Sequence, residues 1–440
     1  MKISQRSNEL INQGVTPMSS RLPSHRSVVV IGGGQAGLSV SYFLKQHGVD
    51  HVILEKNRIA HSWRTQRWDS FCLVTPNWQC QLPGRPYAGG EPHGFMKREE
   101  IVAYVEDYAR RIEAPVEEGV AVTRLGRDAR GGFVVETSEG GMTADAVVLA
   151  VSGYHTPSIP RSAERVDPAI RQIHSSAYKN AGQLPEGDVL VVGSGQSGCQ
   201  IAEDLHLAGR KVHLVVGSAP RCPRVYRGRD CVDWLADLGQ YDLPVDDHPL
   251  KEGVRKKANH YLTGRDGGRD IDLRRFAKEG MSLYGRLKDI DSGRLLFEDD
   301  LAKNLDGADA VYNGICGLID KHIAEKGIDA PPGRHYEAVW RPSKALTELD
   351  PVAEGVASIV WATGFRSNWS WIDLPILDAA GYLEHRRGVT KEDGLFIIGL
   401  PWLYTWGSGR FVGVGRDAEF LSHRIDEHLL AIKPRLRAAC

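Results

Sequence analysis

Two short stretches of this 440-residue chain have the composition and spacing to hold a ligand bearing a diphosphate. "VVVIGGGQAGL" (28–38) contains Gly32, Gly34 and Gly37, and "VLVVGSGQSGC" (189–199) contains Gly193, Gly195 and Gly198. Each is a G-x-G-x-x-G set between an apolar run suited to a strand and a segment suited to a helix. The first glycine permits the tight turn, the second lets the backbone approach a pyrophosphate, and the third lets helix and strand pack closely. The helix N-terminus that follows presents free N–H groups and a positive dipole. One such motif is a weak signal. Two in one chain, both in strand–turn–helix context, predict two dinucleotide sites.

The residue at the end of the next strand separates the two sites. Glu55 lies 23 positions after Gly32 (55 − 32), where a carboxylate accepts hydrogen bonds from ribose hydroxyls. The same offset from Gly193 falls on Val216, and "GSAPRCPRVYRGR" follows, with Arg221, Arg224, Arg227 and Arg229. A carboxylate repels a 2′-phosphate, whereas arginine binds one bidentately. The first site is therefore expected to hold FAD and the second NADPH, with Arg221 and Arg224 as the phosphate ligands.

The elements that must position these turns are legible as continuous apolar runs: "VVVI" (28–31), "HVIL" (51–54), "VVLAV" (147–151), "VLVV" (189–192), "VHLVV" (212–216), "SIVWAT" (358–363) and "LFIIGL" (395–400). Runs of this kind suit strands buried on both faces. Their alternation with helical stretches predicts an α/β fold with two Rossmann-like, doubly wound domains. Residues 123–149 alternate with turn residues and predict a small antiparallel meander ending in a buried strand.

Composition excludes several classes. With 55 basic and 56 acidic residues there is no charge excess to attract nucleic acid or an acidic membrane surface. No apolar stretch of about twenty residues occurs, so no transmembrane helix is expected. Residues 1–26 lack an apolar core and read as a flexible tail rather than a secretory signal. Seven scattered cysteines suit reduced thiols in the cytoplasm, with no C-x-x-C pair and no Cys/His spacing for a metal. Cys72 and Cys80 read as small buried hydrophobes. The basic segment 254–276 reads as a solvated surface.

On these residues the chain resembles the flavin-containing monooxygenases, class B flavoproteins with two dinucleotide-binding domains. The likeness extends from residue 27 onward and rests on the two glycine turns, "HSSAY" (174–178), "WATGF" (361–365) and the closing "GLFIIGLPWL…GSGRFVGVGRDA". His174 and Tyr178 match the second half of the family fingerprint F-x-G-x-x-x-H-x-x-x-[YFW], while Pro168 and Ile170 replace its Phe and Gly. The resemblance implies an FAD-binding domain over 27–160 and 353–440, with an NADPH-binding domain inserted at 161–352. It gives His174 a coupling or gating role and places Asn77 beside the reactive flavin carbon. It puts Trp63 and Arg64 along the FAD diphosphate and adenine, and Thr363-Gly364 where the chain returns to the FAD domain. Gly415 and Asp417 then begin a helix aimed at the flavin pyrimidine, with Ala418, Leu421 and Ile425 on its buried face. Trp402 and Trp406 line the substrate cavity or pack.

The chemistry so implied is formation of a C4a-(hydro)peroxyflavin from NADPH and molecular oxygen. One oxygen atom then passes to a small nucleophilic substrate containing N or S. A Baeyer–Villiger enzyme, an NAD(P)H:acceptor oxidoreductase or oxidase, and a non-enzymatic flavin redox sensor are the alternatives. A flavin-disulfide reductase ranks low, because the spacing of Cys72 and Cys80 is wrong for it. Dimers are common in such flavoproteins, which leaves a homodimer open.

Overall fold

The computed structural model describes residues 22–129 and 131–438. Of the expected tail, residues 1–21 lie outside the described residues, and the first strand, β1 (His25–Ile31), already takes up positions 25 and 26. The chain continues through α1 (Gln35–Gln46), β2 (His51–Glu55), α2 (Arg98–Arg111), β3 (Val116–Glu118), β4 (Val122–Arg127), β5 (Phe133–Thr137) and β6 (Gly140–Leu149). A short strand, β7 (Thr156–Pro157), leads into the insert, made of β8 (Arg171–His174), β9 (Asp188–Val192), α3 (Gln196–Leu207), β10 (Val212–Val215), β11 (Ser282–Tyr284), α4 (Leu301–Lys326) and β12 (Val356–Trp361). The return runs through β13 (Phe365–Arg366) and β14 (Leu395–Ile397) to the long helix α5 (Val414–Ala438).

Two parallel sheets result. In the first, the order around the core is β14-β6-β1-β2-β3, and the antiparallel β4–β5 pair joins the outer part of β6. The expected meander is thus present, and β6 changes from antiparallel to parallel partners along its ten residues. In the second sheet the order is β8-β12-β9-β10-β11. The central strands are apolar throughout because both faces are covered: in the second sheet Val189 and Val191 pack with α3, whereas Leu190 and Val192 pack with Ile290, Leu295, Phe297 and Leu349 of a small antiparallel sheet. Val28, Val29 and Val30 are fully buried, as are Val189, Leu190 and Val191. Helix α5 packs on α1 and buries Ala418, Leu421 and Ile425, as its pattern predicts, although it starts at Val414, a turn earlier than expected.

The domain boundary differs from expectation. The resemblance places all of 353–440 in the FAD domain, but β12 pairs in parallel with both β8 and β9 and is the second strand of the inserted sheet. The chain leaves that sheet only after Trp361, and the crossing is made by β13 pairing antiparallel with β7. These two strands are the twin links between domains.

The basic segment 254–276 also departs from expectation. Arg274 is fully buried and bonds Asp306 and Asp309 on α4, at 2.5 and 2.8 Å. Arg265 reaches Asp204 at 2.7 Å and Arg269 reaches Glu203 at 2.9 Å, both on α3. Asp204 further accepts from the Tyr178 hydroxyl (2.6 Å) and from the Ser70 hydroxyl (2.5 Å), so one carboxylate ties the segment after β2 to the insert. Tyr178→Phe removes a donor from that carboxylate and is expected to cost about 1–3 kcal/mol. Urea denaturation followed by far-UV circular dichroism measures it, and an unchanged midpoint would remove Tyr178 from the coupling.

Candidate active site

The first cradle follows from one steric fact. Gly32 has φ +111°, a conformation that side-chain-bearing residues avoid, and a Cβ there would lie 2.6 Å from the Ala150 carbonyl oxygen at the end of β6. A Cβ at Gly37 would lie 2.0 Å from the Gly32 oxygen, so α1 sits directly on the turn. At Gly34 a Cβ would meet nothing within 4 Å. The second glycine therefore borders open space at the N-terminus of α1, as backbone facing a diphosphate must. Glu55 ends β2, and its two oxygens accept from the backbone N–H of Gly33 (2.8 Å) and Asn57 (2.9 Å). This fixes the carboxylate at the rim and leaves lone pairs for ribose hydroxyls.

Asp417, in the first turn of α5, supplies the test of fit for FAD. It is 1% exposed, and neither carboxylate oxygen receives a well-formed hydrogen bond; the nearby Ser408 hydroxyl and the Arg387 and Arg416 charges relieve it only in part. Burial pushes its pKa up to about 6. A buried carboxylate short of donors is costly, and the hydroxyls of a ribityl chain are donors that would satisfy it. Gly415 stands two residues nearer the helix start, against Pro83.

The second cradle repeats the first. Gly193 has φ +108°, and a Cβ there would lie 2.7 Å from the Ala362 carbonyl oxygen. A Cβ at Gly198 would lie 1.8 Å from the Gly193 oxygen, while at Gly195 it would meet nothing within 4 Å. Ala362 of "WATGF" thus does for the second turn what Ala150 does for the first. A cavity of about 300 Å³ opens at the C-terminal ends of these strands, lined by Gly193, Val215, Gly217, Thr363, Arg286 and Arg366 among others. No acidic side chain lines it, which fits a dinucleotide carrying a 2′-phosphate.

Arg221 and Arg224 are not where the sequence put them. Arg221 is 2% exposed, pairs with Asp309 at 3.1 Å and Asp272 at 3.4 Å, and lies between the Tyr312 and Tyr336 rings. Arg224 is equally buried, pairs with Asp230 at 2.5 Å and donates to the Val74 carbonyl at 2.7 Å. Arg227 and Arg229 are likewise engaged, with Asp320 and Asp237. All four charges are spent on aspartates, and neither Arg221 nor Arg224 lines the cavity. Arg286 and Arg366 do, although Arg286 also pairs with Asp300. Arg366 has no ion-pair partner among the described residues.

The remaining expected residues fall between the cradles. Trp63 stacks on Phe411 with centroids 6.0 Å apart. Arg64 turns outward to Glu106, and its neighbour Arg67 instead lies over the Trp63 and Phe71 rings, its guanidinium pushed down in pKa by burial. Asn77 is buried, but its amide holds the adjoining loop, accepting from Met96 N–H (2.7 Å) and donating to the Glu91 carbonyl (3.0 Å). Its role here is to position that loop. Two residues on, Gln79 is 2% exposed with its Nε2 lacking an acceptor, a donor the sequence did not single out. His174 is buried at the crossing, its Nε2 2.9 Å from the Gly364 carbonyl, its Nδ1 bonded to Ser176, and its ring edge-on to Phe365. Burial lowers its pKa, so it is a neutral link in the hinge. Thr363 donates to the Ser158 carbonyl on the facing link.

Two glycine cradles at the switch points of two doubly wound sheets define a two-dinucleotide flavoprotein oxidoreductase. Comparison with known proteins agrees. The family profile described as pyridine nucleotide-disulphide oxidoreductase matches residues 29–229. An uncharacterized CzcO-like oxidoreductase from Geobacillus kaustophilus is 33% identical over 409 residues, covering 91% of this chain and 98% of that protein. An indole-3-pyruvate monooxygenase of Oryza sativa is 28% identical, covering 84% of this chain and 86% of that one. Among solved structures, a flavin-containing monooxygenase from Stenotrophomonas maltophilia superposes with a TM-score of 0.63 at 19% identity, covering 92% and 99% of the two chains. The chain belongs with the CzcO-like oxidoreductases, and its fold is that of the flavin-containing monooxygenase structure.

Asp417 gives this site a pH signature. In the flavin-free protein the unfolded chain ionises at the ordinary 3.8 and the folded one only near 6, so stability falls as pH rises between those values and stays reduced above them. Asp417→Asn removes this penalty, and the flavin-free variant is expected to be more stable at pH 7 by on the order of 2–3 kcal/mol. The same variant should retain less FAD on purification. Thermal melts of the flavin-free forms at pH 4 and pH 7 check this, and equal shifts at both pH values would contradict it.

Proposed function

We propose that this protein is an FAD- and NADPH-dependent monooxygenase acting on a small organic molecule. The observation that carries the reading is the pair of intact cradles on one chain, with no acid lining the second and no nucleophile–base triad between them. Bound FAD, reduced by NADPH, supplies the oxygen-activating chemistry. The chain's own work is to hold both cofactors, exclude water and admit a substrate. A nucleophilic nitrogen or sulfur compound is the primary substrate class. The scattered free thiols, together with the lack among the described residues of a helix able to cross a membrane, support a cytoplasmic setting.

A second substrate class is favoured by one cluster at the domain junction. Tyr241 of the insert and Trp406 of the returning segment stack at 4.9 Å and 2°, and Trp402 continues the stack at 6.5 Å. Arg410 lies 4.6 Å over Trp406, bonds only Asn259 Oδ1, and has no carboxylate partner among the described residues. His260 packs against the same tryptophan, and burial with the nearby Arg410 pushes its pKa down to about 4. An uncompensated cation beside aromatic faces suits a planar substrate with a carboxylate, such as an aryl keto acid. The name of the Oryza relative, an indole-3-pyruvate monooxygenase, supports that class.

Two measurements test the proposal. Anaerobic reduction with NADPH followed by rapid mixing with oxygen should show a lasting oxygenated-flavin absorbance before oxidised FAD returns, and substrate should be consumed with one oxygen atom gained. Immediate reoxidation with stoichiometric peroxide, with or without amines, thioethers and aryl keto acids, would favour an oxidase. For the second cradle, Arg366→Ala with Arg286→Ala is expected to raise KM for NADPH about 10- to 100-fold with little change for NADH. Arg221→Ala should instead lower stability and affect both nucleotides alike. A loss confined to NADPH in Arg221→Ala would restore that residue as the phosphate ligand.

A further inference from the structure

The structure brings together two thiols that the sequence keeps apart. The sulfurs of Cys222 and Cys231 stand 2.9 Å from each other, the one thiol–thiol contact among the described residues. Cys72 and Cys80, the pair closest to a motif in the sequence, make no such contact. A hairpin creates the approach. Val225 registers with Asp230 and Tyr226 with Arg229, and the Cys231 N–H donates to the Arg224 carbonyl at 2.8 Å. The two cysteines thus stand at the neck of a ten-residue loop. An S–S bond requires the sulfurs to close by about a further 0.9 Å.

The surroundings bias what this pair can do. It sits in an apolar cluster with Tyr226, Trp234 and Ile315. Burial holds the Cys222 thiol well above its ordinary pKa, so it is neutral and slow to react at rest. Cys222 retains 5% exposure and Cys231 none, which orders the two chemically. Both thiols are buried, so a small oxidant meets them only when the hairpin opens; Cys222, the nearer to solvent, is oxidised first and Cys231 resolves it.

We infer that Cys222 and Cys231 form a peroxide-closed dithiol. Hydrogen peroxide oxidises the Cys222 sulfur to a sulfenic acid, breaking the O–O bond and releasing one water. The Cys231 sulfur then displaces the hydroxyl, which leaves with the Cys231 proton as a second water, and the S–S bond forms. Two thiols lose two electrons and two protons, and one peroxide becomes two waters. The loop so closed carries Arg224, whose guanidinium holds both Asp230 and the Val74 carbonyl of the FAD-domain segment. The disulfide therefore fixes the arginine that docks the insert against the first domain. The assignment rests on the oxygenase reading only for its internal oxidant, since a flavoprotein that activates oxygen without substrate releases peroxide.

The test uses the purified holoenzyme. It is treated with hydrogen peroxide, quenched with catalase, unfolded, labelled with N-ethylmaleimide and mapped by mass spectrometry. Two of the seven thiols should escape labelling, one peptide should link Cys222 to Cys231, and dithiothreitol should restore both. The melting temperature should rise by a few degrees on closure. Cys222→Ser should abolish the link, with Cys231→Ala as the second variant if the first does not fold. Seven labelled thiols after peroxide, separate sulfinic acids, or a link to Cys316 would overturn the inference. A parallel sample receives NADPH and air in place of peroxide. Closure in both supports the inference and shows that turnover in air supplies the oxidant, while closure with added peroxide alone supports the dithiol and shows that the enzyme holds its activated oxygen rather than releasing it as peroxide; the oxygenase reading is tested separately by the rapid-mixing experiment.

Discussion

The structure depends on how closely a turn can approach the end of a neighbouring strand. Gly32 sits against the Ala150 carbonyl and Gly193 against the Ala362 carbonyl, at distances that leave no room for a Cβ. Those contacts require parallel strands in fixed register, with Ile31 beside Leu54 and Leu149, and Val192 beside Val215 and Trp361. They also require small residues just past the strand ends. Only then do α1 and α3 begin with free N–H groups over open space, where a diphosphate is stabilised by the helix dipole. "LAVSG" (149–153) and "WATGF" (361–365) are therefore equivalent in the two domains.

A second constraint is electrostatic. Arg221, Arg224 and Arg274 are buried as deeply as core leucines, and each is matched by one or more aspartates. Removing a partner from such a pair leaves an uncompensated buried charge, so these pairs set the geometry of the insert even where their net stabilisation is small. Among the described residues Arg67, Arg366 and Arg410 are among the arginines that pair with no carboxylate. Of these, Arg366 lines the cavity at the second cradle and Arg410 lies over Trp406 at the domain junction.

Coupling between the domains runs through the crossing and through polar contacts on either side of it. The chain crosses twice, through β7 and β13, and the crossing is bonded by Thr363 to Ser158 and by His174 to Gly364. Away from the crossing, Asp204 receives donors from Ser70, Tyr178 and Arg265, and Trp78 to Asp233, Asn180 to Asp69, Arg224 to the Val74 carbonyl and Arg416 to Asp242 add further bonds between the two domains. The aromatic stack of Tyr241 with Trp406 lies across the same junction.

The sequence by itself determined whatever is set by local spacing. The two glycine turns, the acid at Glu55, its absence after β10, the buried face of α5 and the meander ending in β6 are all patterns within about twenty-five residues, and the backbone reads them directly. The charge partners were decided elsewhere. Arg221 meets Asp309 from a helix 88 positions away (309 − 221), so a run of arginines that looks free in the sequence is neutral in the fold. The strand carrying "SIVWAT" was legible as a strand but not as a member of the inserted sheet, because sheet membership is set by long-range parallel pairing. Asn77 illustrates the same limit: a side chain's amide is committed by whichever backbone folds against it, here residues 91–96. Local periodicity and turn chemistry fix the elements and cradles, while only tertiary packing decides which polar groups are already satisfied and which remain for a ligand.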